Sequence, residues 1–291
     1  IAPSLVGSEM CIRDSFSAEG SHLIIQVQDI QFLLHHSDNL SFPFAIVFHI
    51  AAFLVIIYGS HIKDWREQLA ILSYAGAAIC ALHAGDLFTL FLWWEATAFT
   101  SVILIFGGKT YRAYRSAIRY IVIQVGSGIL LLSGAILLFQ SNNEAIFKEF
   151  DINSTAGLLI FIAFGIKAAF PFLNGWLQDS YPEASEAGTV ALSAFTTKLA
   201  IYALARSYAG VEILIYIGAL MTFFPIFFAV IENDLRRVLA FSLNNQLGFM
   251  VVAIGIGTEL AINGAVAHAF AHIIYKGCLL YTSDAADEHG C

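Results

Sequence analysis

The chain has 291 residues, of which 58% are hydrophobic and 12% charged, with a formal net charge of −8 at pH 7. That charged share is about half of what a soluble globular domain carries, and the acidic balance offers no electrostatic footprint for nucleic acid. Of the four cysteines, Cys80 alone lies in the apolar body, so the sequence has neither a disulfide framework nor a metal-binding cysteine spacing.

The two ends differ from the rest. "SLVGSEMCIRDS" (Ser4 to Ser15) and "CLLYTSDAADE" (Cys278 to Glu288) resemble translated sequencing adaptors. Residues 1–15 and 278–291 are therefore set apart from fold reasoning, and the biological portion is expected to be a truncated stretch of about 16–277. Setting them aside also weakens the acidic balance, because Glu9, Asp14, Asp284, Asp287 and Glu288 go with them. Residues 16–41 are polar and mixed, with "LIIQVQDIQFLL" as a short strand or interfacial segment on the extracytoplasmic side.

From residue 42 onward, apolar runs of nearly 20 residues recur, about the length needed to cross a bilayer. Nine spans are predicted, at 42–59, 68–84, 86–106, 117–139, 156–177, 187–206, 212–231, 236–257 and 261–277. With loops numbered on alternate sides, one side receives Lys63, Arg66, Lys109, Arg112, Arg115, Arg119, Arg236 and Arg237, and the other receives Lys148 and Arg206. The positive-inside rule assigns the first group, and with it the loops at 60–67, 107–116, 178–186 and 232–235, to the cytoplasm. The fold class is all-α, a polytopic transmembrane helical bundle.

Six ionisable groups fall inside predicted spans: Glu95, Lys167, Lys198, His268, His272 and Lys276. A carboxylate or lysine at a helix centre costs roughly 2.5–3.5 kcal/mol on insertion scales. Lys167 and Lys198 lie about ten residues from both ends of their predicted spans, too deep for easy snorkelling. Glu95, in "LFLWWEATAF", lies at a similar depth and is expected to pair with a buried lysine, either to lock two helices or to serve as a proton relay switched by its partner. Pro171 follows Lys167 by four residues, so it should kink or open that helix and free the carbonyls of Ile166 and Lys167. A broken helix beside a buried lysine is a recurrent way to build a midplane ion site, although an ordinary proline kink with a snorkelling lysine has the same sequence.

"HAFAHIIYK" sets His268, His272 and Lys276 on one helix face, roughly 6 Å apart along the axis. One water per gap would link them, and histidine suits a proton shuttle near neutral pH. Packing histidines are the bland reading, and a metal site lacks an accompanying carboxylate or cysteine. His83 and Asp86 flank a helix–helix turn and are expected at the interface. Asp179 and Glu183 are expected to cap a helix or touch a neighbouring subunit. "ENDLRRVLAFS" is a charged connector before a helix. No phosphate-cradling loop, dinucleotide fingerprint or nucleophile constellation is present, so no catalytic redox residue, cofactor site or metal site is assigned.

Five motifs in order, "GDLFTLFLWWEATAF", "FGIKAAFPFLNGWLQDSYPEA", "LSAFTTKLAIYAL", "ENDLRRVLAFSLNNQLGFMVVAIGIG" and "HAFAHIIYKG", resemble the proton-conducting membrane subunits shared by Mrp-type Na+/H+ antiporters and respiratory complex I. "GTVALSAFTTK" and "GTELAINGAVAHAFAHIIYKG" resemble the D-type branch of the Mrp antiporters most closely. The resemblance implies a fourteen-helix subunit with two inverted five-helix repeats, the first at about 68–206 and the second beginning near 212 and incomplete within 42–277. It implies a relay from Glu95 and Lys167 through Lys198 to His268, His272 and Lys276. Asn174 departs from the histidine many relatives carry there. The implied function is proton translocation in a multisubunit monovalent cation (Na+)/H+ antiporter of the bacterial inner (plasma) membrane, with other subunits as partners. The alternative is a non-redox pumping subunit of a complex I-like NADH-quinone oxidoreductase or a membrane hydrogenase. A third reading, a scaffold whose charges only fix packing, fits the charge pattern less well.

Overall fold

The computed structural model describes residues 20–27 and 30–288. The first adaptor-like string lies outside them. The described chain begins with a β-hairpin, β1 (Gly20–Val27) and β2 (Ile30–Ser37), paired antiparallel from Gly20↔Ser37 to Val27↔Ile30. The sequence suggested one strand there at most. The remainder is helical: α1 (Ser41–Tyr58), α2 (Trp65–Leu82), α3 (Leu87–Phe106), α4 (Tyr111–Asn142), α5 (Thr155–Lys167), α6 (Gly175–Ser180), α7 (Glu186–Ala194), α8 (Thr196–Ser207), α9 (Ile213–Ile231), α10 (Leu235–Ile256) and α11 (Glu259–Glu288). The second adaptor-like string continues α11 without a break.

Among the described residues, six helical stretches are long and apolar enough to cross a membrane, counting α7 and α8 as one 22-residue stretch. The other three predicted spans correspond to α2, α5 with α6, and α11. Helix starts follow the local chemistry. Asp64, Asp86, Thr110, Ser154, Ser185 and Asp234 each accept a backbone N–H of the following turn, which satisfies donors that a helix cannot pair internally.

Two predicted spans are interrupted. The span at 156–177 ends as helix at Lys167, and the chain passes through Ala169 and Phe172 in the left-handed region, φ 61° and 66°, before α6. Pro171 supplies the reason, because it offers no N–H to continue the ladder. The freed carbonyl of Ile166 is taken by Trp176, whose indole N–H donates to it at 2.9 Å. The span at 187–206 breaks at Phe195, where neither proline nor glycine signals it. Tyr74 holds this second break from α2, its hydroxyl accepting from Thr196 N–H at 3.0 Å.

The four loops assigned to one side do meet at one end of the bundle. Lys109 lies 4.0 Å from Asp64, Arg119 lies 3.2 Å from Asp179, and Arg236 lies 3.7 Å from Glu186. Arg237 reaches Glu183 at 3.6 Å. At the other end β2 docks on the α2–α3 turn. Leu33 N–H donates to Asp86 Oδ2 at 2.8 Å, and Gly85 N–H donates to Leu33 O at 2.8 Å. Gly85 permits this approach, since a Cβ there would meet Leu33 Cβ at 2.8 Å. Asp86 is therefore buried within the protein at this end of the bundle. Leu33 N–H of β2, the first N–H groups of α3 and the Thr89 hydroxyl donate to its oxygens.

Candidate functional site: a buried polar axis

The predicted site residues form two groups within the bundle. In the first, α3, α4 and α5 converge on Lys167. This lysine is fully buried at the last position of α5, where the helix break turns its side chain toward α3. Its Nζ donates to Trp94 O and to Thr97 Oγ1, each at 2.8 Å. The ammonium also sits 4.0 Å from the centre of the Trp94 ring, an electrostatically favourable place for a desolvated cation. The Trp94 indole N–H donates to Ser127 Oγ at 3.0 Å, and Ser127 Oγ in turn donates to Ala163 O at 2.8 Å.

Glu95 is Lys167's charge neighbour, but no ion pair joins the two among the described residues. Its carboxylate fits a notch on α4 formed by Gly128, where an added Cβ would collide with Oε1. That oxygen is buried without a hydrogen-bond partner. The two are coupled as neighbouring charges, and Lys167 makes its hydrogen bonds to α3 rather than to the carboxylate. A carbonyl and a hydroxyl on α3 hold the ammonium, and Glu95 acts on it through charge alone.

The second group surrounds Lys198. It is fully buried just after the Phe195 break. Its Nζ donates to Ser193 O at 2.6 Å and Thr197 Oγ1 at 3.3 Å, so the lysine caps a carbonyl that the interruption frees. His268, His272 and Lys276 on α11 all lie within electrostatic reach of the Lys198 charge. The rings of His268 and His272 are near parallel, with centroids 6.2 Å apart and an interplanar angle of 18°. His272 and Lys276 are buried. Both His272 nitrogens and His268 Nε2 are buried without a hydrogen-bond partner.

Sequence reasoning missed two amides. Gln124, one turn before Gly128 on α4, and Asn244 on α10 are fully buried, and neither amide oxygen nor nitrogen of either has a partner. The signal was present, a glutamine in the apolar run "IVIQVGSG" and an asparagine in "FSLNNQLGF". Buried polar atoms of this kind are costly unless water or a neighbour's other rotamer meets them. Lysine, histidine and carboxylate side chains in these two groups are able to take and release protons.

Residues 84–289 match the family described as NADH:quinone oxidoreductase/Mrp antiporter, TM. The chain belongs to that family. The match spans both groups of the axis and the two helix interruptions. Among curated relatives, the D subunit of the Na(+)/H(+) antiporter of Alkalihalophilus pseudofirmus is 29% identical over 227 residues, 72% of this chain and 46% of that protein. The N subunit of the NADH-quinone oxidoreductase of Desulforudis audaxviator is 30% identical over 244 residues, 74% of this chain and 48% of that protein. The chain thus spans about half the length of these curated relatives. A chain of the Mrp complex from Dietzia sp. DQ12-45-1b superposes with a TM-score of 0.82 at 21% identity, over 95% of this chain and 57% of that one. Membership in this transmembrane family and the apolar helices make the chain a multi-pass membrane protein.

Proposed function

We propose that this chain is part of a proton-translocating subunit of a multisubunit monovalent cation (Na+)/H+ antiporter in the bacterial plasma membrane, and that Glu95, Lys167, Lys198, His268, His272 and Lys276 carry the protons. One observation bears most of the weight: Lys167, Lys198, His272 and Lys276 are all essentially inaccessible to solvent, in a bundle whose composition is membrane-like. Such groups are rarely retained in a membrane for packing alone. Lys198 and the α11 face are cationic sites close enough to repel one another, so a proton on one disfavours a proton on the next. Repulsion of this kind moves a charge along the row with small side-chain motions. Each lysine has backbone and hydroxyl oxygens to rest on between movements: Trp94 O and Thr97 Oγ1 of α3 for Lys167, and Ser193 O and Thr197 Oγ1 beside the Phe195 break for Lys198.

The other reading makes the chain a non-redox pumping subunit of a complex I-like oxidoreductase. It is favoured by the 30% identity to the N subunit of an NADH-quinone oxidoreductase. The two differ in what drives the protons, and the partners differ accordingly: other antiporter subunits in the first case, subunits bearing redox centres in the second.

The test uses vesicles containing the full-length subunit in its assembled complex. Lys198→Arg keeps the charge but scarcely releases a proton, so it should slow proton-coupled transport while assembly persists. Transport equal to the parent at every pH would remove Lys198 from the path. Proton movement driven by a sodium gradient without NADH supports the antiporter reading. Proton movement seen only with NADH and quinone supports the oxidoreductase reading.

A further inference from the structure

We infer that the end of the bundle carrying the basic loops holds a binding site for a phosphate group, supplied by an anionic membrane phospholipid, at Arg112 and Arg115 of α4. A cleft of about 260 Å³ opens there between α4, α6 and α10, lined by Arg112, Arg115, Arg119, Asp179, Glu183 and Arg237. Four guanidiniums face two carboxylates, and the carboxylates are already engaged. Asp179 pairs with Arg119 at 3.2 Å, and Glu183 pairs with Arg237 at 3.6 Å. Arg237 is further held by Asp234 at 3.7 Å. No carboxylate pairs with Arg112 or Arg115 among the described residues. Arg115 lies by the Tyr111 ring, 6.0 Å from its guanidinium carbon.

The placement fits a lipid headgroup. α4 has 32 residues and so is about 48 Å long at 1.5 Å per residue, well beyond a hydrocarbon core of about 30 Å. The charged residues lie in its first turns and the apolar run follows, which sets those turns at headgroup level. Arg112, Arg115 and Arg119 follow at i, i+3 and i+7, one stripe on one face. Tyr111, Tyr114 and Trp65 are exposed at the same end, as interfacial aromatics are. The α4 N-terminus adds the positive end of its dipole to the same place. Two guanidinium forks without a carboxylate partner, a cleft between α4, α6 and α10 and an interfacial depth together suit a phosphodiester, which arginine binds bidentately. Arg119 and Arg237, fixed by their carboxylates, form the walls. This inference concerns residues outside the proton row and does not rest on the transport reading.

The experiment purifies the full-length subunit in its native complex and measures the lipids that stay bound by native mass spectrometry. Nanodiscs of phosphatidylglycerol mixed with phosphatidylcholine are the source. The expected result is at least a fivefold loss of retained phosphatidylglycerol in Arg112→Gln/Arg115→Gln, with phosphatidylcholine unchanged and with Lys148→Gln, at the opposite end, behaving as the parent. Arg112→Lys/Arg115→Lys is the second variant, keeping charge while removing the fork, and should lose selectivity for the anionic lipid by a smaller factor. Equal phosphatidylglycerol retention in the parent and both variants would overturn the site. A second arm titrates inorganic phosphate into the complex in phosphatidylcholine alone. Arginine-dependent phosphate binding there, without phosphatidylglycerol retention in the first arm, would overturn the lipid source and leave a site for a soluble phosphate.

Discussion

Thr97→Val tests whether the resting place of Lys167 matters. The substitution keeps the shape of the side chain and leaves Glu95, Lys167 and every formal charge in place. It removes the hydroxyl that accepts from Lys167 Nζ at 2.8 Å and that itself donates to Trp94 O at 2.7 Å. A hydrogen bond to a charged group contributes about 1.5–3 kcal/mol. Lys167 retains Trp94 O and the ring, so the parked position weakens without vanishing. If Lys167 alternates between Trp94 and Glu95, that loss shifts the balance toward Glu95 by about 10- to 150-fold, at roughly 1.4 kcal/mol per factor of ten. Proton-coupled transport in vesicles should then slow, because a lysine drawn to Glu95 no longer returns readily. Proton flux and thermal midpoint are measured together on the assembled complex. A parent-like flux accompanied by a lowered midpoint would refute the reasoning, since the hydroxyl would then serve packing alone.

Three further outcomes follow from named contacts. Gly128→Ala forces a Cβ into the space of Glu95 Oε1, so transport should fall and stability drop by about 1–3 kcal/mol. Gly126→Ala on the same helix meets nothing within 4 Å and should behave as the parent in the same flux assay. Asp38→Asn strips the partner from Arg206, whose side chain is 8% exposed; the hairpin–α8 junction should lose about 2 kcal/mol, less than a fully buried pair because Asp38 is 35% exposed, as read by denaturation of the complex. The same junction sets an acid limit. Burial pulls His36 below its ordinary value, aided by Arg206, while for Asp38 burial works upward but Arg206 and the Ser41 hydrogen bonds outweigh it and hold the carboxyl low. Both folded values lie below the unfolded ones, so stability rises with pH. It should fall first below the ordinary histidine range and again as pH drops through the lowered Asp38 value. His36→Gln should flatten the first step of the midpoint-versus-pH curve.

The sequence by itself determined the membrane helices, their approximate ends and the charges between them, because hydropathy and capping are local properties. Spans 86–106 and 236–257 agree with α3 and α10 to within one residue, and Asp86 and Asp234 cap them. The break after Lys167 was legible because Pro171 cannot continue a helix. The break at Phe195 was not. It depends on Tyr74 arriving from α2 to bond Thr196, a contact between residues 122 apart. Sequence also named the ionisable residues but assigned their partners by charge alone. Only the packed bundle decided that Lys167 rests on Trp94 and Thr97 while Glu95 enters the Gly128 notch. Which oxygen a buried ammonium finds is set by the backbone and hydroxyl groups that packing brings within reach. Here the groups that packing brings to hydrogen-bond distance of the ammonium are a carbonyl and a hydroxyl, while Glu95 acts on it only as a neighbouring charge.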